Sequence, residues 1–400
     1  MKKAIIIGAG IGGLTSALSL HAAGWTVEVY EAVTELAPLG VGINLLPHGS
    51  AVLHRLGLGD RLDDTGIRTR AIEYRTRFGQ LIMTDPRGIE AGFDYPQYSI
   101  HRGQLQFLLL AAVRERLGHD SVRTGMPIHR YSQDAGQVTA HFAEGRATGS
   151  VLIGADGIHS TVRRQLFPAD GPPHYEGVMM WRGAHEQAPF GDGRTMMIAG
   201  NHDLKVVCYP ISEAARRHGR ALVNWVAEVR FDTPRPLNPG AWTRQGSREF
   251  IDRFAAFRND VLDFTALFRA TETIYEYPMI DRDPLPHWTD GRVTLLGDAA
   301  HPMYPIGANG ASQAILDAEA LAAALQRGDP LAGLAAYEAE RRPTTTAVVL
   351  ENRRYGPEKV LDLADARITG PDDRIEDLIP PEELEAVARD YRAVAGFQRP

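Results

Sequence analysis

The sequence predicts an α/β protein: a parallel, doubly wound sheet assembled from separated segments, with a second, mainly antiparallel β-rich (α+β) unit inserted into it. Three observations predict this. Gly8, Gly10 and Gly13 stand at G-x-G-x-x-G spacing between an apolar run, 4–7, and a helix-periodic segment, 14–23. Two further apolar runs, 151–154 and 292–297, lie far along the chain and also lead into a glycine and an acid, at Asp156-Gly157 and Gly297-Asp298. Residues 172–281 change character, with strand-like segments at 177–184, 194–199, 204–210, 221–229 and 272–280.

The first 31 residues carry the clearest motif. The first glycine permits a tight turn, the second lets a pyrophosphate touch backbone N–H groups, and the third allows close helix–strand packing. The N-terminus of the helix, where Ile11 follows Gly10, supplies partial positive charge. Gly24 ends that helix, 26–30 reads as a second strand, and Glu31 closes it where an acid accepts from a ribose hydroxyl. Such a Rossmann-like unit binds a dinucleotide. Glu31 opposes a 2′-phosphate, which favours FAD or NAD over NADP and leaves FAD against NAD open. A secretory leader ending near His21-Ala22-Ala23 is disfavoured, since cleavage there would discard the glycine turn.

Beyond Glu31, residues 37–42 read as a loop, 43–46 as a short apolar segment, and 50–56 as a helix ended by Gly57. Residues 69–85 alternate as a hairpin turning at Phe78-Gly79-Gln80. An amphipathic helix covers 103–117 and stops at Gly118. Short strands follow at 121–123, 126–131 and 137–142, and a helix begins near Ser160. Within 172–281 one helical stretch is expected over 247–269. Helices over 310–325 and 330–355 precede a charged, Pro-interrupted tail of surface helices. The boundaries that follow are 1–68, 98–171 and 282–355 for the discontinuous nucleotide unit, 69–97 and 172–281 for the β-rich unit, and 356–400 for the tail.

Composition narrows the function. The chain has 400 residues, 44% hydrophobic and 23% charged, with net charge −7. There is no basic stripe for a nucleic acid and no apolar run near the ~20 residues that span a bilayer. The single cysteine, Cys208, excludes an internal disulfide and a cysteine metal cluster and fits a reducing cytoplasm. Cys208 reads as core. The histidines lack metal spacing, and His301, beside a tight turn, reads as a residue that orients backbone.

Two turns carry chemistry. In 154–163, Asp156 is placed to accept from hydroxyls or exposed N–H groups, and Ser160 to cap the helix carrying Arg163. In 297–311, Asp298 is placed to hold a polyol hydroxyl, and the loop Pro305-Ile306-Gly307-Ala308-Asn309-Gly310-Ala311 offers backbone N–H groups at a helix start. A developing anion there gains about 0.3–2 kcal/mol from the helix terminus. Reduced flavin carries its charge at N1–C2=O, so the loop suits flavin; a phosphate nest is the alternative, disfavoured by the adjoining acid. Trp181, Tyr209 and Trp225 sit in strands of the β-rich unit, as core or as an aromatic pocket.

On these three fingerprints the chain resembles the single-component FAD-dependent aromatic hydroxylases, the p-hydroxybenzoate and salicylate hydroxylase family. The match runs over roughly 1–350. Within the family it is most similar to phenazine-modifying monooxygenases, through PLGVGIN (38–44), YPQYSIHRGQLQ (95–106), MWRG (180–183), YPM-DRDPLPHW (277–288) and LLGDAAH-MYP-GANGASQAILD (295–317). The tail after about 355 is not clearly similar.

The resemblance implies a glutathione-reductase-like FAD-binding fold. It places Asp298 on the ribityl chain, Arg102 and Gln106 on the ribityl–pyrophosphate part, and Asp156 and Arg163 in support of FAD and the transient nicotinamide. It sets Pro305, Met303 and Tyr304 beside substrate. It also implies NAD(P)H as transient reductant (NADH favoured), O2, a flavin C4a-hydroperoxide, and a small aromatic substrate such as a phenazine carboxylate, with decarboxylation where the hydroxylated carbon bears that group. Arg182 is the candidate partner for such an anion. The expected protein is a cytoplasmic monomer or homodimer. A reductase or dehydrogenase on the same fold, or a non-catalytic flavin-binding protein, remain as alternatives.

Overall fold

The three apolar runs become neighbouring strands. In the computed structural model, which describes residues 2–38, 41–233 and 246–394, a six-stranded sheet has the order β18 (Thr289–Asp290), β19 (Val293–Leu295), β12 (Val151–Gly154), β1 (Lys3–Ile7), β2 (Thr26–Tyr30) and β8 (Val122–Arg123). From β19 to β8 the pairs are parallel. Sheets of this kind bind ligands at the carboxyl ends of their strands. Here β1, β12 and β19, adjacent at the centre, all end beside one another. The strands are buried on both faces, as their unbroken apolar runs require. Helices α1 (Ile11–Ala22), α4 (Arg102–Leu117) and α8 (Gly310–Gln326) pack together on this sheet, and α9 (Pro330–Asn352) lies against α8.

The second sheet has seven strands: β17 (Ile274–Asp281), β13 (His174–Gln187), β16 (Ala221–Arg230), β15 (Leu204–Pro210), β14 (Thr195–Gly200), β5 (Ala71–Arg75) and β6 (Leu81–Pro86). The 69–85 hairpin is thus its edge, with β14 and β5 the one parallel pair. Side chains alternate across the sheet. Trp181, Cys208, Trp225 and Met197 face one way, into a core with Phe250, Phe254 and Phe268. Arg182, Tyr209, Val226 and Ile198 face the other way and line a cavity. Two three-stranded sheets complete the fold: β3 (Gly42–Leu45), β7 (Gln97–His101) and β4 (Ile67–Thr69), and β11 (Arg146–Gly149), β10 (Val138–Phe142) and β9 (Ile128–Gln133).

The structure departs from the sequence reading in three places. The single helix over 247–269 is replaced by a 3-10 turn at Glu249–Phe254 and a short α7 (Phe264–Ala270). The break has a local cause: Asn259 Oδ1 accepts from the N–H groups of Val261 and Leu262 at 2.8 and 3.2 Å, and Asp263 caps α7 through Ala266 N–H at 2.9 Å. The helix expected over 50–56 begins a turn earlier, as α2 (Pro47–Arg55), with proline in its first turn. The tail does more than coat the surface. Helices α10 (Lys359–Asp365), α11 (Ile375–Leu378) and α12 (Pro381–Val394) bury Val360, Leu361 and Leu384 against Ile72, Tyr74 and Met196 of the seven-stranded sheet. Short helices α3 (Gly59–Thr65), α5 (Thr161–Leu166) and α6 (Glu213–Arg217) occupy connections. Leu39 and Gly40 of the expected 37–42 loop, residues 234–245 of the β-rich unit and the last six residues of the tail lie outside the described residues.

Candidate active site

Two helix N-termini open on one cavity of about 370 Å³. The first is that of α1. Gly8 has φ +105°, and a Cβ there would stand 2.3 Å from Ala155 O; one on Gly13 would stand 2.0 Å from Gly8 O. A Cβ on Gly10 would meet nothing within 4 Å. So Gly8 and Gly13 serve packing, and Gly10 keeps an approach open. No side chain caps α1. Gly10, Ile11 and Gly12 line the cavity. The second N-terminus belongs to α8, preceded by Gly307 and Ala308 at φ +65° and +58° and likewise without a side-chain cap. Pro305, Gly307, Ala308, Gly310 and Ala311 line the same cavity. Uncapped helix starts with open backbone in front of them hold anions, so this chain suits a cofactor with a pyrophosphate at one end and a ring that becomes anionic at the other.

The supporting residues sit behind these turns. Glu31 accepts from Ala9 N–H at 2.7 Å and Val33 N–H at 3.1 Å, and Gln106 Nε2 donates to Ala9 O at 2.8 Å. Both therefore hold the glycine turn itself. Arg102 and Asp298 line the cavity, with Asp298 exposed to it on the turn after β19.

Neither Asp156 nor Arg163 lines the cavity. Asp156 accepts from Ser160 Oγ at 2.5 Å and from Thr161 N–H at 2.7 Å. Burial raises its carboxyl above the ordinary value, against the hydrogen bonds that favour the charge. Arg163, 1% exposed, pairs with Asp170 at 2.7 Å and donates to the carbonyls of Ala299 and Ala300 at 3.2 Å each. Direct contact of the Arg163 side chain with a cofactor is thus corrected to a clamp joining α5 to the 297–301 turn, while Asp156 braces the start of α5. Ala155 and Gly157, their neighbours, supply the backbone that lines the cavity.

Trp225 is the second correction. It is fully buried on the far face of the sheet, its Nε1 donating to Thr271 Oγ1 at 2.8 Å, 4.6 Å from the Phe268 ring. The neighbouring Val226 takes the cavity face instead. Met303, Tyr304, Arg182 and Tyr209 all line the cavity. Arg182 Nη2 donates to Gly42 O at 2.9 Å, and burial pushes the Tyr209 phenol up to about 12.

Several lining residues carry no motif: Asn44, Tyr74, Arg87, Gln97, Glu228 and Glu358. Tyr74 lies in the alternating 69–85 hairpin and Glu228 in the 221–229 strand, Asn44 and Gln97 fall within the shared stretches 38–44 and 95–106, and Arg87 and Glu358 carried no sequence signal. Two more residues act from behind. Asp317, fully buried, accepts from Gly297 N–H at 3.1 Å, His301 Nε2 at 2.6 Å and Arg341 Nε at 2.8 Å, which fixes the third turn. His301 thus orients the turn through a carboxylate. Tyr391 of the tail bonds Asn309 Nδ2 at 2.5 Å and Asn352 Oδ1 at 3.0 Å, directly under Gly307. Among the described residues no cluster of His, Cys, Asp or Glu is arranged to hold a metal ion, and no helix is long and apolar enough to cross a membrane.

The FAD binding domain family matches residues 1–352. The chain is 46% identical over 382 residues to the phenazine 1,6-dicarboxylic acid hydroxylase PhzS of Lysobacter antibioticus, covering 90% of this chain and 94% of the relative. It is 33% identical over 357 residues to 3-hydroxybenzoate 6-hydroxylase 1 of Aquipseudomonas alcaligenes, covering 87% of each. Among solved structures, Klebsiella pneumoniae HpxO in complex with FAD and uric acid superposes with TM-score 0.74 at 26% identity, over 99% of this chain and 93% of that one. A salicylate hydroxylase substrate complex shares the fold, with TM-score 0.74 at 23% identity over 100% of this chain and 98% of that one.

Proposed function

The chain belongs to the FAD binding domain family, it is an FAD-dependent aromatic hydroxylase, and we propose that its substrate is a planar heteroaromatic carboxylate of the phenazine class. One observation carries the reading: two uncapped helix starts and the cavity-facing side of an antiparallel sheet enclose the same space. The chemistry that bound FAD would supply is acceptance of a hydride from NAD(P)H and activation of O2 for transfer of one oxygen atom to the ring.

The protein's tasks are binding, orientation and exclusion of water. Gly10 and the α1 N-terminus receive the pyrophosphate. Glu31, which holds the glycine turn, would accept from the adenosine ribose, and Asp298 would hold a ribityl hydroxyl. The 307–311 backbone and the α8 terminus stabilise negative charge on the flavin ring by about 0.3–2 kcal/mol. Val226, Val207 and Ile198 present a dry apolar floor to the substrate, and Arg182 holds its carboxylate. Pro305, Met303 and Tyr304 line the same cavity.

The division of the chain into nucleotide unit (1–68, 98–171, 282–355), β-rich unit (69–97, 172–281) and tail is part of this proposal, supported by separate apolar clusters. So are a cytoplasmic location and a monomeric or homodimeric state.

The overall change is ArH + O2 + NAD(P)H + H+ giving ArOH, water and NAD(P)+. Attack at the carbon bearing the carboxylate would release CO2 in place of the ring proton. The test is turnover of a phenazine carboxylate under 18-O2. One labelled oxygen per product is expected, with NAD(P)H oxidation stimulated by the acid. Product without label would point to a reductase or dehydrogenase and overturn the proposal.

A further inference from the structure

The ladder of the seven-stranded sheet sets five residues side by side across five strands: Arg182, Val226, Val207, Ile198 and Tyr74. All five line the cavity. The middle three are β-branched and apolar, a flat floor for an aromatic ring system. Both ends are polar. Four strand spacings separate the Cα atoms of Arg182 and Tyr74, about 19 Å, which leaves length for fused rings between the two side chains.

The Tyr74 end is built for an anion. Tyr74 is joined by Arg87 and Gln97, which are 7% and 1% exposed and line the same cavity. Tyr74 and Arg87 share a hydrogen bond. Arg87 Nε and Gln97 Oε1 are buried without a hydrogen-bond partner, and the Gln97 amide donates only to Met196 Sδ at 3.8 Å, a weak acceptor. Buried polar groups are otherwise nearly always satisfied, so Arg87 Nε lacks an acceptor and Gln97 Nε2 lacks a strong one, and a ligand carboxylate can supply both.

The charges agree. Asp85 receives Arg87 at 2.6 Å and Arg392 at 3.2 Å, so two guanidinium groups share one carboxylate. Two other carboxylates lining the cavity, Glu228 and Glu358, are both bound to the buried Lys205. At the opposite end Arg182 Nε is likewise buried without a partner.

We propose that Arg87, Gln97 and Tyr74 form a second carboxylate subsite, opposite Arg182, so that the cavity takes a fused planar heteroaromatic carrying a carboxylate at each end. This rests on the hydroxylase reading above and goes beyond it by dividing the cavity into two anionic subsites around an apolar floor.

The test is titration of the FAD-loaded protein with phenazine-1,6-dicarboxylate and with phenazine-1-carboxylate, read by the change in flavin absorbance. The dicarboxylate is expected to bind about tenfold or more tightly. Arg87→Gln is expected to bring the ratio of the two dissociation constants close to one, and Arg87→Lys to restore part of it. Gln97→Leu, which leaves the Asp85 ion pairs intact, is expected to lower the ratio as well and carries the test if Arg87→Gln does not fold. A wild-type ratio near one, or variants that weaken both acids equally, would overturn the subsite. Failure of the hydroxylase reading looks different: binding with the expected ratio, but no label from 18-O2 in any product.

Discussion

At the scale of single residues, the groups that hold the site are mostly not those that touch a ligand. Asp317 joins Gly297 N–H, His301 and Arg341 in one buried cluster. Burial alone would raise its carboxyl, but His301 and Arg341 outweigh that and hold it below the ordinary value. A carboxyl depressed in the folded state gives stability that is present above its unfolded value, near ~4, and is lost as pH falls through the lower folded value. Asp317→Asn is therefore expected to cost about 3–5 kcal/mol at neutral pH, as for a broken buried ion pair. It should also flatten the acid limb of stability below pH ~4, read by denaturant midpoints across pH. An unchanged acid limb would remove Asp317 from this role. The sequence did not single out its role, because Asp317 stands 20 positions after Gly297, inside α8, and only folding brings the two together. Glu31, Asp298 and the three glycines, by contrast, stand in a local pattern with a direct physical meaning.

Elements explain why some motif residues serve packing and others binding. At the β1–α1 turn, a Cβ on Gly13 would collide with Gly8 O at 2.0 Å, while one on Gly10 would enter open space. Gly13→Ala is thus expected to lower thermal stability and expression. Gly10→Ala should fold with a near-native melting temperature in the FAD-free form and bind FAD at least about tenfold more weakly, since the methyl occupies the approach to the backbone. Equal FAD affinity in Gly10→Ala and wild type would contradict this assignment. In β16 the decisive quantity is parity. Trp225 and Val226 are adjacent in sequence and opposite in space, because side chains alternate along a strand. The sequence showed a strand there but not which of its faces met the cavity. Parity is fixed only by the register of β16 with β13 and β15.

For the molecule as a whole, the tail is the part whose role changed most. Tyr391 reaches under the 307–309 turn, and Arg392 reaches Asp85 behind the far end of the cavity. Tyr391→Phe removes the partner of Asn309 Nδ2 and Asn352 Oδ1 and is expected to cost about 1–3 kcal/mol. Because the loosened loop faces the flavin, more NAD(P)H should be oxidised per hydroxylated product than in the wild type, measured by comparing both amounts. Unchanged coupling with lowered stability would confine Tyr391 to folding. The sequence by itself determined the nucleotide sheet, the glycine turns and the cofactor class, because each is a short segment whose backbone geometry and charge are set by neighbours in the chain. The tertiary structure alone decided the cavity: which strand faces line it, that Arg163 and Trp225 stand outside it, and that Arg87, Gln97 and the tail close its far end. Those facts depend on strand register and on contacts hundreds of residues apart, which leave no local trace in composition or periodicity.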